Sequence, residues 1–278
     1  MNIINYLIPF NLDIMKDFIK KYEIWIFLIL APIVNAIVVY IRTLGIIPEN
    51  VYNHGRFAVL LMLLVVIVKY TRGNKGIKDM FKPMLKWNVK FHWYLLSLVF
   101  AFTIASLALI VKGVYNGDGI FSNIVLQSDA MYPLLAFILL VWAFCGEVVW
   151  VSYCIRELSK ITTPFFASQI VGIFWALWWF PVVYLGEGVI PDFPYWALLI
   201  GMMGTAGMCA VIYELTKSGL AVWLLQFMLN MSLIVLPISP KVGGVPTYAT
   251  FVIIYYMVMM GFMYYLYPKG KFALKKVV

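Results

Sequence analysis

The sequence predicts an all-α membrane protein in which eight transmembrane helices form a single bundle. Three observations lead to this prediction: the composition, the number of long apolar runs and the distribution of basic residues. Of the 278 residues, 64% are hydrophobic and only 12% are charged, and the mean hydropathy is +0.94. Because about a quarter of the residues in a soluble domain are charged, this composition indicates an integral membrane protein.

Eight apolar runs are long enough to cross a bilayer, which takes about 20 residues in a helix. The second run is the weakest, because its uninterrupted part, FAVLLMLLVVIV, is short and lies between Arg56 and Lys69. The predicted spans cover about residues 24–43, 53–70, 93–111, 132–154, 164–185, 194–213, 218–237 and 249–267.

One membrane domain with two short flanking segments accounts for the whole chain. Residues 1–22 lack the basic start, apolar middle and cleavage site of a secretory signal, and we interpret them as an interfacial amphipathic segment. Four of their apolar residues share a helical face: Phe10, Ile14, Phe18 and Ile19. Residues 23–268 form the predicted eight-helix domain, and residues 269–278 form a basic cytoplasmic tail.

The basic residues predict the orientation. When eight spans are drawn, all but four of the 21 lysines and arginines fall on the side of the N-terminus. The four exceptions are Arg42, Arg56, Lys112 and Lys241. By the positive-inside rule both termini are cytoplasmic, and we expect the protein in the plasma membrane.

The net charge of +9 therefore reflects topology and an attraction to anionic membrane lipid, not nucleic acid. The loop from Lys69 to His92 also has the composition of a basic amphipathic segment that lies on the inner leaflet.

No cofactor or metal motif is present. The chain has no P-loop, GxGxxG or HExxH motif, so neither nucleotide binding nor zinc-protease chemistry is supported. Cys145, Cys154 and Cys209 lie in apolar runs without CxxC spacing and are predicted to be small packing residues. His54 and His92 lie at the ends of apolar runs and are predicted to be solvated or interfacial.

A lone carboxylate, Glu147, lies inside the fourth predicted span, in the stretch AFCGEVVWVSYCIREL. It is about 12 Å from the cytoplasmic end of the helix, at 1.5 Å per residue. An ionisable group at that depth usually faces a bundle interior or a wet cavity. Two interpretations stay open: a protonated carboxyl that ties helices together, and a present or former active site.

Two amides and a group of tryptophans accompany this acid. Gln226 and Asn230 share one face of the seventh span, close to the depth of Glu147, and either bridge helices or share a cavity with the acid. The fifth span contains IFWALWWFPVVY, whose tryptophans indicate packing and an interfacial belt. Pro181 in that stretch predicts a kink.

Taken in order, these three segments resemble the CPBP family of intramembrane proteases, which includes CAAX-processing and bacteriocin-processing enzymes and proteins labelled CAAX protease self-immunity proteins. The resemblance covers about residues 130–235. The first family motif is Glu-Glu-x-x-x-Arg, commonly with Trp before the Arg. The matching stretch here is GEVVWVSY, with Gly146, Glu147, Trp150 and Val151 at the motif positions.

The other two motifs have also lost their histidines. Phe-x-x-x-His corresponds to WALWWFP, with Trp179 at the histidine position, and His-x-x-x-Asn corresponds to QFMLN, with Gln226 in place of histidine and Asn230 retained. The resemblance therefore implies a degenerate member of the family, without the usual first Glu, the Arg or either His.

The resemblance also implies which chemistry is lost. In active relatives the first Glu and the two histidines are thought to activate water, and the Asn helps to form an oxyanion site. Here Gly146 has no side chain, Trp179 can only donate, and Gln226 cannot accept a proton near neutral pH. Glu147 is left as the single base, and the family's second Glu is not usually assigned the main catalytic role.

Three functional hypotheses follow. The first is a pseudoprotease that binds or scaffolds a membrane-protein partner or a peptide, such as a bacteriocin in an immunity role. The second is an active intramembrane endopeptidase that uses Glu147 as its base, with Gln226 and Asn230 as oxyanion donors. The third is a transporter or lipid-handling protein, suggested by the buried acid, by prolines within the spans and by the glycines of LLIGMMGTAGM.

Overall fold

The computed structural model describes residues 12–127, 132–187 and 193–266, and the regular secondary structure of these residues is entirely helical. The α-helices are α1 (Leu12–Lys21), α2 (Glu23–Thr43), α3 (Glu49–Phe81), α4 (Phe91–Asn116), α5 (Pro133–Gly146), α6 (Arg156–Leu158), α7 (Pro164–Tyr184), α8 (Tyr195–Thr216), α9 (Gly219–Val235), α10 (Pro240–Gly243) and α11 (Val245–Leu266). A 3-10 helix, Lys82–Leu85, follows α3, and a π-helix, Glu147–Ile155, joins α5 to α6.

Within the described residues, eight helical stretches are long and apolar enough to cross a membrane, which confirms the predicted all-α fold and the number of spans. They are Glu23–Thr43, Glu49–Leu85, Phe91–Asn116, Pro133–Leu158, Pro164–Tyr184, Tyr195–Thr216, Gly219–Gly243 and Val245–Tyr265. The protein is therefore an integral membrane protein. The predicted basic tail, residues 269–278, lies outside the described residues, as do residues 1–11 of the predicted interfacial segment.

The second span differs most from its prediction. The sequence predicts a weak span at about residues 53–70, whereas α3 continues from Glu49 to Phe81. Gly73 interrupts this helix with φ +64° and ψ −158°, which bends the chain just beyond the apolar run. The basic residues that follow Gly73 therefore lie on a separate helical piece at one end of the bundle.

The glycines of α8 provide its contact with α11. At Gly201, Gly204 and Gly207 an added Cβ would approach atoms of α11 closely, with the shortest distance, 2.5 Å, to the sulfur of Met259. On α7, a Cβ at Gly172 would lie 2.6 Å from the Cα of Met203 in α8. Small residues allow helices in a membrane to approach closely, so the packing around α8 accounts for these glycines.

The π-helix Glu147–Ile155 lies at the centre of the bundle. It contacts α3, α7, α8 and α9, and all nine of its residues are buried. The predicted packing role of the three cysteines agrees with this core, since Cys145, Cys154 and Cys209 are buried and unbridged. Both histidines are exposed, as the sequence predicts.

A buried acid, Glu23, joins three helices at the end of the bundle where α3 leaves its span. Glu23 is the first residue of α2, and it accepts hydrogen bonds from the Thr71 hydroxyl and from Tyr153 Oη, the latter at 2.6 Å. Arg72 Nη2 lies 2.7 Å from Glu23 Oε1 and 3.0 Å from Glu157 Oε2. Because a buried charge is tolerated only when it is paired and hydrogen-bonded, this network stabilises the arrangement of α2, α3 and the π-helix.

We expect Gly73→Ala to destabilise the protein by about 1–2 kcal/mol, because a Cβ disfavours the left-handed region although the surrounding space is open. The matched control is Gly55→Ala in the same helix, where the space is equally open and φ is not positive. There alanine should be neutral or stabilising. Unfolding free energies in mixed micelles test this, and equal effects of the two substitutions would contradict the backbone explanation.

Candidate functional site

The π-helix determines which residues stand beside Glu147. Hydrogen bonding from residue i to i+5 widens each turn, so residues five apart share a face. Ser152 lies five residues after Glu147, and its hydroxyl donates a 2.5 Å hydrogen bond to Glu147 Oε1. In an α-helix this serine would point away from the acid.

The carboxyl of Glu147 is completely enclosed, with 0% of the residue exposed. An added Cβ at Gly219, the first residue of α9, would lie 2.9 Å from Glu147 Oε1 and 2.6 Å from the sulfur of Met84. Within the described part of the chain no cation forms an ion pair with Glu147, and Oε2 has no hydrogen-bond partner. The carboxyl therefore accepts a hydrogen bond from one serine hydroxyl and lies against the start of α9, where Met84 approaches the same glycine.

Gly146 and Gln226, which replace the first Glu and the last His of the family motifs, lie in contact. A Cβ built on Gly146 would be 2.7 Å from Gln226 Oε1 and 3.8 Å from Cζ2 of Trp175. The amide of Gln226 thus occupies the space that any side chain at position 146 would need. Among the described residues, its Nε2 is buried without a hydrogen-bond partner.

Stacked tryptophans fill the interior next to Gly146. The rings of Trp150 and Trp175 stack with centroids 5.6 Å apart, and Trp178 packs against the edge of Trp150. Val151, at the position of the motif arginine, is fully buried. The space beside the site is therefore apolar and occupied by side chains, and such aromatic pairs contribute stability beyond the area that they bury.

Trp179, at the position of the other histidine, makes different contacts. Its ring lies 4.0 Å from the guanidinium carbon of Arg56, and Tyr52, Phe57 and Trp178 place three further rings around the same cation. Arg56 is 5% exposed, and its Nε and Nη1 have no hydrogen-bond partner. Cation–π attraction offsets part of the cost of burying this charge.

The predicted site residues thus separate into two groups. The structure brings Gln226 against Gly146, the chain neighbour of Glu147, and it places Trp179 against Arg56. Asn230 is only partly buried, and no hydrogen bond of its amide occurs among the described residues.

Four residues next to Glu147 or Gly146 were not predicted from the sequence: Met84, Ser152, Trp175 and Gly219. Ser152 carried a weak signal, because it is a polar residue in an apolar run. Trp175 lies in the tryptophan-rich stretch of the fifth span but was predicted to be a packing residue. Met84 and Gly219 carried no signal, since their contacts depend on how distant segments pack. No cluster of three or more potential metal ligands occurs in the described residues.

Gly146→Ala is expected to cost about 1–3 kcal/mol of stability, because the new methyl group requires the Gln226 amide to move within a packed core. In a Gln226→Ala background most of this cost should disappear, since the obstructing oxygen is gone. A double-mutant cycle on unfolding free energies measures the coupling. Additive effects would show that the two residues do not meet.

Ser152→Ala should destabilise the protein by about 1–3 kcal/mol, because it leaves the buried carboxyl of Glu147 without its hydrogen bond. The effect should shrink when Glu147→Leu has already removed the carboxyl. Ser232→Ala is the matched control: Ser232 is equally buried, but its hydroxyl donates only to the Leu229 carbonyl. If Ser152→Ala lowered the unfolding free energy equally in the wild type and in the Glu147→Leu variant, the hydrogen bond between Ser152 and Glu147 would be contradicted.

Comparison with known proteins agrees with the predicted resemblance. The family model described as Rce1-like, type II CAAX prenyl endopeptidase Rce1-like, matches residues 128–232, which include all three motif positions. None of the curated proteins compared with the chain matches it. Over residues 128–232, this membrane protein is therefore similar to the Rce1-like type II CAAX prenyl endopeptidases of the CPBP family.

Proposed function

We propose that this protein is a catalytically inactive member of the CPBP family that binds or scaffolds a membrane-protein partner or a peptide. The observation that carries the proposal is the contact between Gly146 and Gln226. These residues stand at positions where the family motifs have a catalytic Glu and His, and neither can act as a base at neutral pH.

The environment of Glu147 also supports this proposal. A general base must lie within hydrogen-bonding reach of the water that it activates. Glu147 is fully enclosed, and its nearest polar partner is the Ser152 hydroxyl. Water and a peptide carbonyl would reach it only after Met84 or the start of α9 had moved.

The cluster around Arg56 supports a binding role. A buried guanidinium with two unpaired N–H groups is costly, and a carboxylate from a partner would satisfy it. Trp179, which is partly exposed, separates this cation from the surface of the bundle. The proposed partner is therefore a membrane helix or peptide that carries an acidic group. The proposal also places the protein in the plasma membrane with both termini in the cytoplasm, as its basic residues predict.

Purification in nanodiscs, followed by mass spectrometry of everything that co-purifies, tests this function. The wild type and Glu147→Gln should retain the same uncut partner in stoichiometric amounts, because the amide is isosteric and no catalysis is required. Arg56→Gln should lose it, whereas Arg42→Gln should not, since Arg42 already pairs with Glu187 at 3.3 Å.

Cleaved peptides found with the wild type and absent from Glu147→Gln would overturn the proposal and identify an active endopeptidase. Incubation of both proteins with prenylated CAAX-type peptides provides the direct check. Proteolysis of these peptides by the wild type alone would have the same meaning.

A further inference from the structure

The segment from Lys82 to Phe91, which we call the basic strap, joins the second span to the third. It comprises the 3-10 helix Lys82–Leu85, five residues without regular structure, and the first residue of α4. It follows the bend at Gly73, so it does not continue the axis of its span. Because α4 begins at the end of the strap and the second span ends shortly before it, we expect the strap at the level of the bilayer surface.

The outer side of the strap combines cations with large apolar groups. Its apolar residues Leu85, Trp87 and Phe91 are 78%, 75% and 76% exposed. Its lysines, Lys82, Lys86 and Lys90, are also exposed. Such a mixture is unfavourable in water and is typical of segments that insert side chains between lipid headgroups.

The lysines of the strap have no acidic neighbours to neutralise them. The strap itself contains no Asp or Glu, and the nearest acid along the chain, Asp79, is paired with Arg156 at 2.7 Å. In the described residues no ion pair involves Lys82, Lys86 or Lys90. Positive charge is therefore available at the membrane surface, where anionic lipid is attracted to it.

The inner side of the strap covers the candidate site. Pro83 is buried, and Met84 lies against Gly219 beside the Glu147 carboxyl. The Ser218 hydroxyl donates a 2.5 Å hydrogen bond to the Lys86 carbonyl, which ties the strap to the start of α9. The same few residues thus face lipid on one side and the site on the other.

We propose that the basic strap binds the headgroups of anionic phospholipids in the adjacent leaflet, and that this binding holds Met84 over Glu147. The predicted orientation makes this the cytoplasmic leaflet. Anionic lipid is favoured over an acidic protein or a nucleic acid because exposed leucine, tryptophan and phenylalanine alternate with the lysines at the membrane surface. The inference does not depend on whether the site is catalytic.

Quenching by lipid in nanodiscs tests the binding step. A bimane label is attached to Asn88→Cys, since Asn88 is an exposed strap residue and the native cysteines are buried. At equal mole fraction, brominated phosphatidylglycerol should quench the label several-fold more strongly than brominated phosphatidylcholine. Added salt should reduce this preference, because exposed charges are screened.

Charge variants identify the residues responsible. Replacing three lysines of the strap, Lys82, Lys86 and Lys90, by glutamine should abolish the preference for phosphatidylglycerol. The matched control replaces three exposed lysines of α1, Lys16, Lys20 and Lys21, by glutamine. It removes the same charge and should retain the preference. The proposal would be overturned if the two lipids quenched the wild type equally, or if the control variant lost the lipid preference as fully as the strap variant. The strap would then be assigned to binding an acidic protein partner.

A labelling rate tests the covering step. Met84→Cys should react several-fold more slowly with a water-soluble maleimide in phosphatidylglycerol nanodiscs than in phosphatidylcholine nanodiscs. Ser122→Cys, at an exposed position outside the strap, reports on the reagent itself, and its rate serves as the reference. A Met84→Cys rate that does not depend on lipid, relative to this reference, would show that lipid does not hold the strap over the site.

Discussion

The i to i+5 hydrogen bonding of Glu147–Ile155 is the constraint on which the rest of the bundle depends. All nine residues of this π-helix are buried, so the helices around it must accommodate side chains on every side. The wider turn also sets which of these residues share a face. Ser152 thereby meets Glu147, Trp150 meets the tryptophans of α7, and Tyr153 reaches Glu23. π-helical turns often mark functional sites, and here the turn coincides with the first family motif.

Two buried acids in this protein have opposite environments. Glu23 is surrounded by hydroxyl and guanidinium donors, so its charge is compensated and it joins helices. In the described part of the chain, Glu147 accepts one hydrogen bond, from Ser152, and forms no ion pair. An uncompensated acid in an apolar interior is costly, and Glu147 nevertheless keeps the position that the family motif gives it. The hydrogen bond from Ser152 and the close packing of α9 explain how the bundle tolerates Glu147.

The substituted motif positions are integrated into the packing of the bundle. Gln226 fills the space beside Gly146, the tryptophans fill the interior around Trp150, and Trp179 forms one wall around Arg56. A site that had merely lost its catalytic groups would contain gaps. The indole of Trp179, at a position where the family motif has a histidine, instead adds apolar packing, which stabilises a bundle.

Hydropathy and motif order were sufficient to determine the number of spans and the family resemblance, since each is a property of residue types along the chain. They also predicted a polar site near Glu147, which stays a prediction. Contacts between helices could not be predicted from the sequence, because they depend on the rotation and register of the packed helices. Only the tertiary structure decided that Ser152 pairs with Glu147, that Met84 and Glu147 both lie against Gly219, and that Trp179 lies against Arg56. A π-helix changes the side of the helix on which every later residue lies, and no pattern in the sequence predicted this change.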